Sequence, residues 1–291
     1  MPASVPSLPT SSRLRGLLRQ PELVVAPGVY DAITARLAQQ AGFPAVYMTG
    51  AGVSASLGYP DYGLLTMSEM VERAGVIARS VTVPVVSDAD TGYGNELNVT
   101  RTVREFEARG VAAIHIEDQV SPKRCGHLDG KVLVSADEFV SKIRAAVAAR
   151  RDADFTVIAR TDARTVTGLD DAIDRANAAL EAGADLAFVE SPLSREEVEA
   201  IPRRVNGPCL LNVVQGGKTP VWDLREVQQM GYRLAIVPAA CLLPALVAVD
   251  AALDQLAATR VAAPPPDGLD VRQMFRRFGA DEWDAIRGAF Q

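Results

Sequence analysis

Cysteine and histidine are scarce in this chain: Cys125, Cys209 and Cys241 are its three thiols, His115 and His127 its two imidazoles. Three thiols build no disulfide framework and fit a reducing compartment. With only two histidines beside them, no zinc spacing of Cys and His is available. An excess of cations is also missing. Thirty Lys and Arg stand against 36 Asp and Glu, a net charge of −6, which argues against a nucleic-acid or anionic-membrane partner. It does not exclude an anionic substrate, because a site can be locally cationic. Long apolar runs are absent too. The longest, Leu234 to Val249, is broken by Pro238 and Pro244 and ends at Asp250, short of the roughly 20 residues a membrane span needs. Before Glu22 there is no acidic residue and no continuous apolar core, so the N-terminus is no secretory signal. A frayed arm or a transit peptide are its two readings, and the expected location is cytoplasmic.

What is present is an ordinary globular composition, 48% hydrophobic and 23% charged in 291 residues. A chain of this length buries about three quarters of its unfolded surface. Short β-rich runs alternate with helical periodicity. Strands are expected at 23–26, 45–49, 83–88, 112–117, 155–160, 186–190, 209–212 and 234–237. Helical stretches include 31–40, 68–79, 97–109, 136–149 and 169–181. Gly42, Gly110, Gly183 and Gly231 each follow a helix just before a strand, the left-handed stop of an αβ turn. Eight strands each followed by a helical segment predict an α/β fold, a (β/α)8 TIM barrel. A barrel of about 250 residues leaves a surplus, so the expected division is an N-terminal arm 1–20, a barrel 21–258 and a linker and tail 259–291. After Pro264–Pro265–Pro266, residues 271–290 read as an amphipathic segment with Phe275, Phe278, Trp283 and Phe290. It either folds back on the barrel or meets another subunit.

In such a barrel, chemistry collects where the strands end. Strand three ends in Asp88-Ala89-Asp90, strand four in Glu117-Asp118, strand five in Arg160-Thr161-Asp162, strand six in Glu190 and strand seven in Asn212. A lone Asp after a strand is most often a helix cap, but Asp88, Asp90 and Glu117 together repel one another and call for a cation. Hard oxygen donors point to Mg²⁺ or Mn²⁺, and Arg160 offers a fork for a carboxylate. His115, two residues before Glu117, is read as a buried, hydrogen-bonded histidine rather than a catalytic one. The run Gly216-Gly217-Lys218-Thr219-Pro220 lacks P-loop spacing and reads as a turn. A long polar loop after strand four carries Cys125 among Lys123, Arg124 and His127. It reads as a mobile lid, with a thiol whose pKa neighbouring cations lower; an inert exposed cysteine is the alternative. Cys209 and Cys241 read as packing residues.

Lys123-Arg124-Cys125-Gly126-His127, with Asp88-Ala89-Asp90-Thr91-Gly92-Tyr93-Gly94 and Ile116-Glu117-Asp118-Gln119, resembles the isocitrate lyase/phosphoenolpyruvate mutase superfamily. The branch is that of methylisocitrate lyase, dimethylmalate lyase and carboxyphosphonoenolpyruvate phosphonomutase. The likeness runs from about Leu23 to Leu256 and is most specific in the cysteine loop. It implies Mg²⁺ held directly by Asp88, with Asp90, Glu117 and Asp61 acting mostly through water. It implies a substrate pocket of Thr49, Gly50, Ala51, Asp61, Lys123, Arg124, Gly126, Arg160, Glu190 and Asn212. It makes Cys125 the acid, with His127 beside it and Tyr93 a candidate base. It also implies a homotetramer that exchanges a C-terminal helix.

The implied activity is Mg²⁺-dependent carbon–carbon cleavage of a 2-hydroxy di- or tricarboxylate into a 2-oxo acid and a carboxylate. Ala240 and Leu243 align where methylisocitrate lyases carry Ser and Arg, and Gln215 where Glu is usual. The loss of an Arg fork favours an alkyl-substituted malate over a tricarboxylate. A phosphonomutase and an oxaloacetate hydrolase share the scaffold and are the rival enzymes; a non-catalytic small-acid binder is the rival from another class.

Overall fold

The computed structural model describes residues 8–220, 223–265 and 268–290. Eight parallel strands close into a barrel in sequential order: β1 Val24–Val29, β2 Val46–Met48, β3 Val85–Asp88, β4 Ala113–Glu117, β5 Thr156–Thr161, β6 Leu186–Val189, β7 Cys209–Asn212 and β8 Leu234–Val237. Parallel strands need crossovers, and helices supply them. They are α2 Ala32–Gln40, α3 Gly50–Ser56, α4 Met67–Ser80, α5 Glu96–Ala108, α6 Ala136–Ala149, α7 Leu169–Glu181, α8 Arg195–Arg204 and α9 Leu224–Gln229, while α1 Thr10–Leu18 precedes β1. After β8 come α10 Leu242–Thr259, α11 Val271–Arg277 and α12 Ala280–Gly288. The barrel reading therefore holds, and the expected strand and helix spans fall within three residues of those observed.

Strand alternation sorts the side chains. One set, with Val46, Met48, Val85, Ile114 and Ile116, packs outward against the helices. Tyr47, Val86, Ala113, Ile158, Phe188, Leu210 and Ile236 fill the barrel interior. Continuing the inward set two residues further brings Asp88, Arg160, Glu190 and Asn212 to the C-terminal rim, and on β4 the same alternation runs from Ala113 through His115 to Glu117. Pairing register confirms the level: Asp88 lies opposite His115, and Glu117 opposite Arg160.

The described part of the N-terminal arm is not frayed. Thr10–Leu18 is helical, and Leu14 is fully buried in the interior cluster at the barrel's far end. Arg15 and Arg150 both clasp Asp185, at 2.9 and 2.7 Å. The targeting question concerning residues 1–7 lies outside the described residues, as does Pro266 of the proline run.

By compactness the chain divides into Met1–Leu242 and Leu243–Gln291. In the second unit the expected segment 271–290 is two helices, parted by Gly279 in the left-handed conformation at φ 92°. Phe275, Trp283 and Phe290 are exposed there. None of the α10 side chains is buried. By length and composition alone α10 is apolar enough to cross a membrane, with mean hydropathy 1.4 over 18 residues. It carries Asp250 and Asp254.

Candidate active site

A cavity of about 120 Å³ opens at the strand C-termini. Its polar wall is Tyr47, Thr49, Asp61, Asp88, Arg160, Glu190 and Asn212, its roof Cys125, Gly126 and His127, and its apolar side Ala51, Val214, Pro238, Ala239 and Leu242. Most of the predicted site residues meet here. Tyr47, Val214 and Pro238 were missed, although Tyr47 on β2 lies two residues before Thr49 and so shares its face.

Arg160 sits at the centre of the ionic wall. Its Nε and Nη2 donate to Asp162 at 3.0 and 3.2 Å, and Nη1 lies 3.2 Å from Glu117 Oε2. The guanidinium also stacks 5.1 Å from the Phe188 ring centre. Burial disfavours its charge, but Asp162, Glu117 and Glu190 raise its pKa well above the ordinary value. Five N–H donors leave it some for a ligand after these contacts. Burial likewise opposes a charge on Glu190, yet Arg160, His127 and Asn212 hold that carboxyl well below the usual range. Asn212 Nδ2 donates to it at 3.0 Å.

His127 has a defined tautomer. Its Nδ1 accepts from the backbone N–H of Lys218 at 2.9 Å, so Nε2 carries the proton and faces Glu190 Oε1 at 3.0 Å. The 216–220 turn thus has a task its sequence did not announce: its backbone orients the loop imidazole. Gly217 leaves room for this, since a Cβ there would overlap the ring.

The carboxylate cluster is arranged around one cavity-facing member. Asp88 lines the cavity, and Gly50 packs so tightly on its Oδ2 that a Cβ would overlap it. Burial opposes the Asp88 charge, but His115, Lys123, Arg160 and the Asp90 N–H outweigh it, and the carboxyl lies at about 2. The Asp90 N–H donates to Asp88 Oδ1 at 2.9 Å. Burial, with repulsion from Asp162 and Asp88, pushes Glu117 well up. Both Glu117 carboxylate oxygens and Asp90 Oδ1 are buried without a hydrogen bond. Glu117 Oε2 is still 3.2 Å from Arg160 Nη1 and Asp90 Oδ1 3.1 Å from Lys123 Nζ, so the orphaned hard oxygen is Glu117 Oε1, and it suits a hydrated divalent cation. Among the described residues no group of three such donors is close enough to hold an ion.

His115 is fully buried and bonds Tyr47 Oη at 2.9 Å. Burial, opposed by Asp88, lowers it to about 4, so it is the neutral structural histidine the sequence indicated.

Three expectations change. Lys123 does not activate the thiol: its ammonium is buried between Asp61 at 2.5 Å and Asp90 at 3.1 Å. Arg124 does not reach the cavity; its side chain is exposed and turns to the Asp129 carbonyl at 3.4 Å. Consequently the Cys125 thiol is not lowered. Burial and then Asp61 raise it, against smaller effects of Lys123 and Arg160. Tyr93 lines a separate cavity with Asn98, Arg101 and Thr102. Burial, Asp90 and Asp88 raise its hydroxyl well above the ordinary value, so it stays protonated and is a poor base. Gln215 is exposed, and neither it nor Ala240 or Leu243 lines the cavity. Of the apolar stretch 239–243, expected to suit an alkyl-substituted malate, Ala239 and Leu242 do line the cavity, joined by Val214 and Pro238. Cys209 is buried and Cys241 half-buried against the core, as packing residues.

The loop is held by side chains the sequence reading passed over. Gln119 clamps Arg124 from both sides of its peptide, accepting from its N–H at 3.0 Å and donating to its carbonyl at 2.8 Å. Gly126 presses on Arg160 and Glu190, where a Cβ would overlap both. Thr161 and the Asp162 N–H bond Asp118 at 2.6 and 2.8 Å.

Comparison with known proteins finds relatives along most of the chain. The family model described as phosphoenolpyruvate phosphomutase matches residues 14–257. A 2,3-dimethylmalate lyase from Eubacterium barkeri is 52% identical over 234 residues, 80% of this chain and 81% of that protein. A 2-methylisocitrate lyase from Aeropyrum pernix is 48% identical, over 84% of this chain and 78% of that one. A solved oxaloacetate acetylhydrolase, in complex with the inhibitor 3,3-difluorooxalacetate, superposes with a TM-score of 0.93 at 41% identity, covering 97% of each chain.

Proposed function

This chain belongs to the phosphoenolpyruvate phosphomutase family, and we propose that it is a Mg²⁺-dependent lyase cleaving the C2–C3 bond of an alkyl-substituted 2-hydroxy dicarboxylate. The observation that carries the reading is the two-sided cavity. An ionic wall of Asp88 and Arg160 faces an apolar side of Val214, Pro238, Ala239 and Leu242, with the Cys125 thiol above. A dicarboxylate with alkyl branches uses both sides. A third carboxylate would have to meet the apolar side without a cation, which is costly.

In this reading Asp88 would hold the Mg²⁺, with Asp90 and Glu117 supporting it; Mn²⁺ has the same preference for oxygen donors. When bound, the cation would supply Lewis-acid stabilisation of negative charge on the substrate hydroxyl oxygen. Arg160 binds the carboxylate next to that hydroxyl, and Thr49 and Asn212 supply neutral polar contacts beside it. The 2-hydroxyl gives its proton to solvent water before the loop seats. As the C2–C3 bond breaks, C2 becomes the carbonyl of a 2-oxo acid and the bonding electrons pass to C3, α to the second carboxylate. Cys125 Sγ–H donates its proton to C3, releasing a saturated carboxylate, and solvent reprotonates the spent thiolate after product leaves. A raised thiol pKa suits an acid, since the proton is present at neutral pH. His127, fixed by Glu190 and Lys218, packs the loop over the cavity and excludes water from the carbanion.

We further propose a cytoplasmic homotetramer in which the C-terminal helix is exchanged between subunits. The unpaired state of all three thiols supports the location. The apolar side chains exposed on α10, among them Leu246, Val247, Leu253 and Leu256, support the exchange.

A panel assay tests the function. The protein with Mg²⁺ is offered 2,3-dimethylmalate, 2-methylisocitrate, oxaloacetate and a carboxyphosphonate, and products are separated by chromatography. Pyruvate and propionate from dimethylmalate, at a higher kcat/KM than any product from the others, is the expected result. Faster release of oxalate from oxaloacetate, or of a phosphonate product, overturns it, and binding without turnover would mark a small-acid binder.

A further inference from the structure

The cysteine loop returns to the barrel through Lys131, a residue that does not itself line the cavity. Its side chain is almost completely buried. The ammonium donates to the Gly126 carbonyl on one side and to Asp162 Oδ1, 2.9 Å away, on the other. Gly126 immediately follows Cys125, and Asp162 is the carboxylate that takes two N–H bonds from Arg160. One cation therefore bridges the peptide that seats the thiol and the carboxylate that aims the guanidinium. Ser191 Oγ adds a second donor to the same Gly126 carbonyl at 3.1 Å.

Asp162 is itself fixed from behind. Its N–H is held by Asp118, whose carboxylate lies 3.3 Å from Arg175 Nη1. It has little freedom to follow Lys131 if the loop lifts. Opening the loop would separate Lys131 from Gly126 or pull it from Asp162, and in either case a buried charge loses a partner, which is costly. The seated loop is thus the arrangement in which both are satisfied.

We propose that Lys131 is a positioning residue that couples the seating of Cys125 to the orientation of Arg160. The proposal deepens the lyase reading and rests on it for its kinetic arm, while its labelling arm is independent of any turnover. With the loop seated, Cys125 is shielded; with the bridge cut, the thiol becomes accessible and Arg160 loses the fixed direction of its fork.

The test compares wild type with Lys131→Met, which keeps length but removes the charge, and Lys131→Gln, which keeps a donor. Each is labelled with iodoacetamide at pH 8 in the presence of Mg²⁺, and each cysteine is followed by peptide mass spectrometry. The expected result is at least tenfold faster labelling of Cys125 in Lys131→Met and an intermediate rate in Lys131→Gln, with Cys209 and Cys241 unchanged. On the substrate found by the panel, kcat should fall and KM rise together in Lys131→Met, because thiol and guanidinium are both displaced; Lys131→Arg should recover part of each.

Labelling of Cys125 within twofold of wild type in both neutral variants overturns the proposal, whether or not the protein turns over any substrate. If Lys131→Met fails to fold, seen as labelling of buried Cys209, the Gln variant alone decides on the same criterion.

Discussion

Arg160 Nη1 lies 3.2 Å from Glu117 Oε2, so the side chain assigned to the substrate carboxylate also neutralises part of the carboxylate cluster. Removing it should harm the fold as well as binding. Arg160→Met leaves Glu117, Asp162 and Glu190 short of a cation in the barrel interior and should cost about 3–5 kcal/mol, read by urea denaturation of the metal-free protein. Arg160→Lys should retain more stability yet still lose most of kcat/KM, because a point charge cannot replace the fork. Equal stability of Arg160→Met and wild type would contradict this assignment.

The Cys125 thiol, raised above its usual value near 9 by burial and Asp61, acts in its protonated form. The active form is the acid, so activity is fully present below the folded pKa and is lost as pH rises through it. Turnover should therefore hold level across the neutral range and decline only in alkali. Cys125→Ser should lower kcat by at least about 100-fold and lose that alkaline limb, with the substrate still binding. A pH–rate profile on both proteins checks the point.

Chelation should abolish turnover without unfolding the chain, since the barrel's core does not depend on the ion. Added Mg²⁺ should restore activity and raise the melting temperature. At a free concentration of 100 times Kd the stabilisation is about 2.7 kcal/mol. Asp88→Asn should lose the thermal shift, a measurement independent of substrate choice.

The apolar side predicts discrimination by methyl groups. One methyl in such a pocket is worth about 1–3 kcal/mol, so kcat/KM for 2,3-dimethylmalate should exceed that for 2-methylmalate by roughly tenfold or more. Replacing Leu242 by Ser should shrink that ratio and leave the binding of Mg²⁺ unchanged.

Leu14 is fully buried at the far end of the barrel. Leu14→Ala should cost about 2–5 kcal/mol in equilibrium unfolding while kcat and KM stay as in wild type.

The barrel was legible because its signals are local: β-rich runs of a few residues, helical periodicity between them and glycine stops at Gly42, Gly110, Gly183 and Gly231. Strand alternation then sufficed to bring Asp88, Glu117, Arg160, Glu190 and Asn212 to one rim. Helix α1 was not legible, since its docking depends on Leu14 joining the interior cluster and on Arg15 finding Asp185, which is remote in sequence. The direction of the Cys125 shift was misread for the same reason. Lys123 and Arg124 are its neighbours along the chain, but one turns to Asp61 and Asp90 and the other to solvent. Asp61, remote in sequence, is what the thiol meets. The bridge from Lys131 to Asp162 likewise exists only once β5 stands beside the loop.

The two faces of the cavity differ in how freely they can change. On the ionic face, Arg160, Asp162, Glu117, Glu190, His127 and Lys131 are cross-linked, so a substitution at any one is felt by the others and its effects do not simply add. Val214, Pro238, Ala239 and Leu242 make no such bonds, and each can be exchanged at the expense of local packing alone. A new substrate can therefore be acquired a side chain at a time from the β7–β8 side, while the bond-breaking apparatus stays as it is. The molecule separates the evolvable part of its recognition from the part in which a single error is amplified.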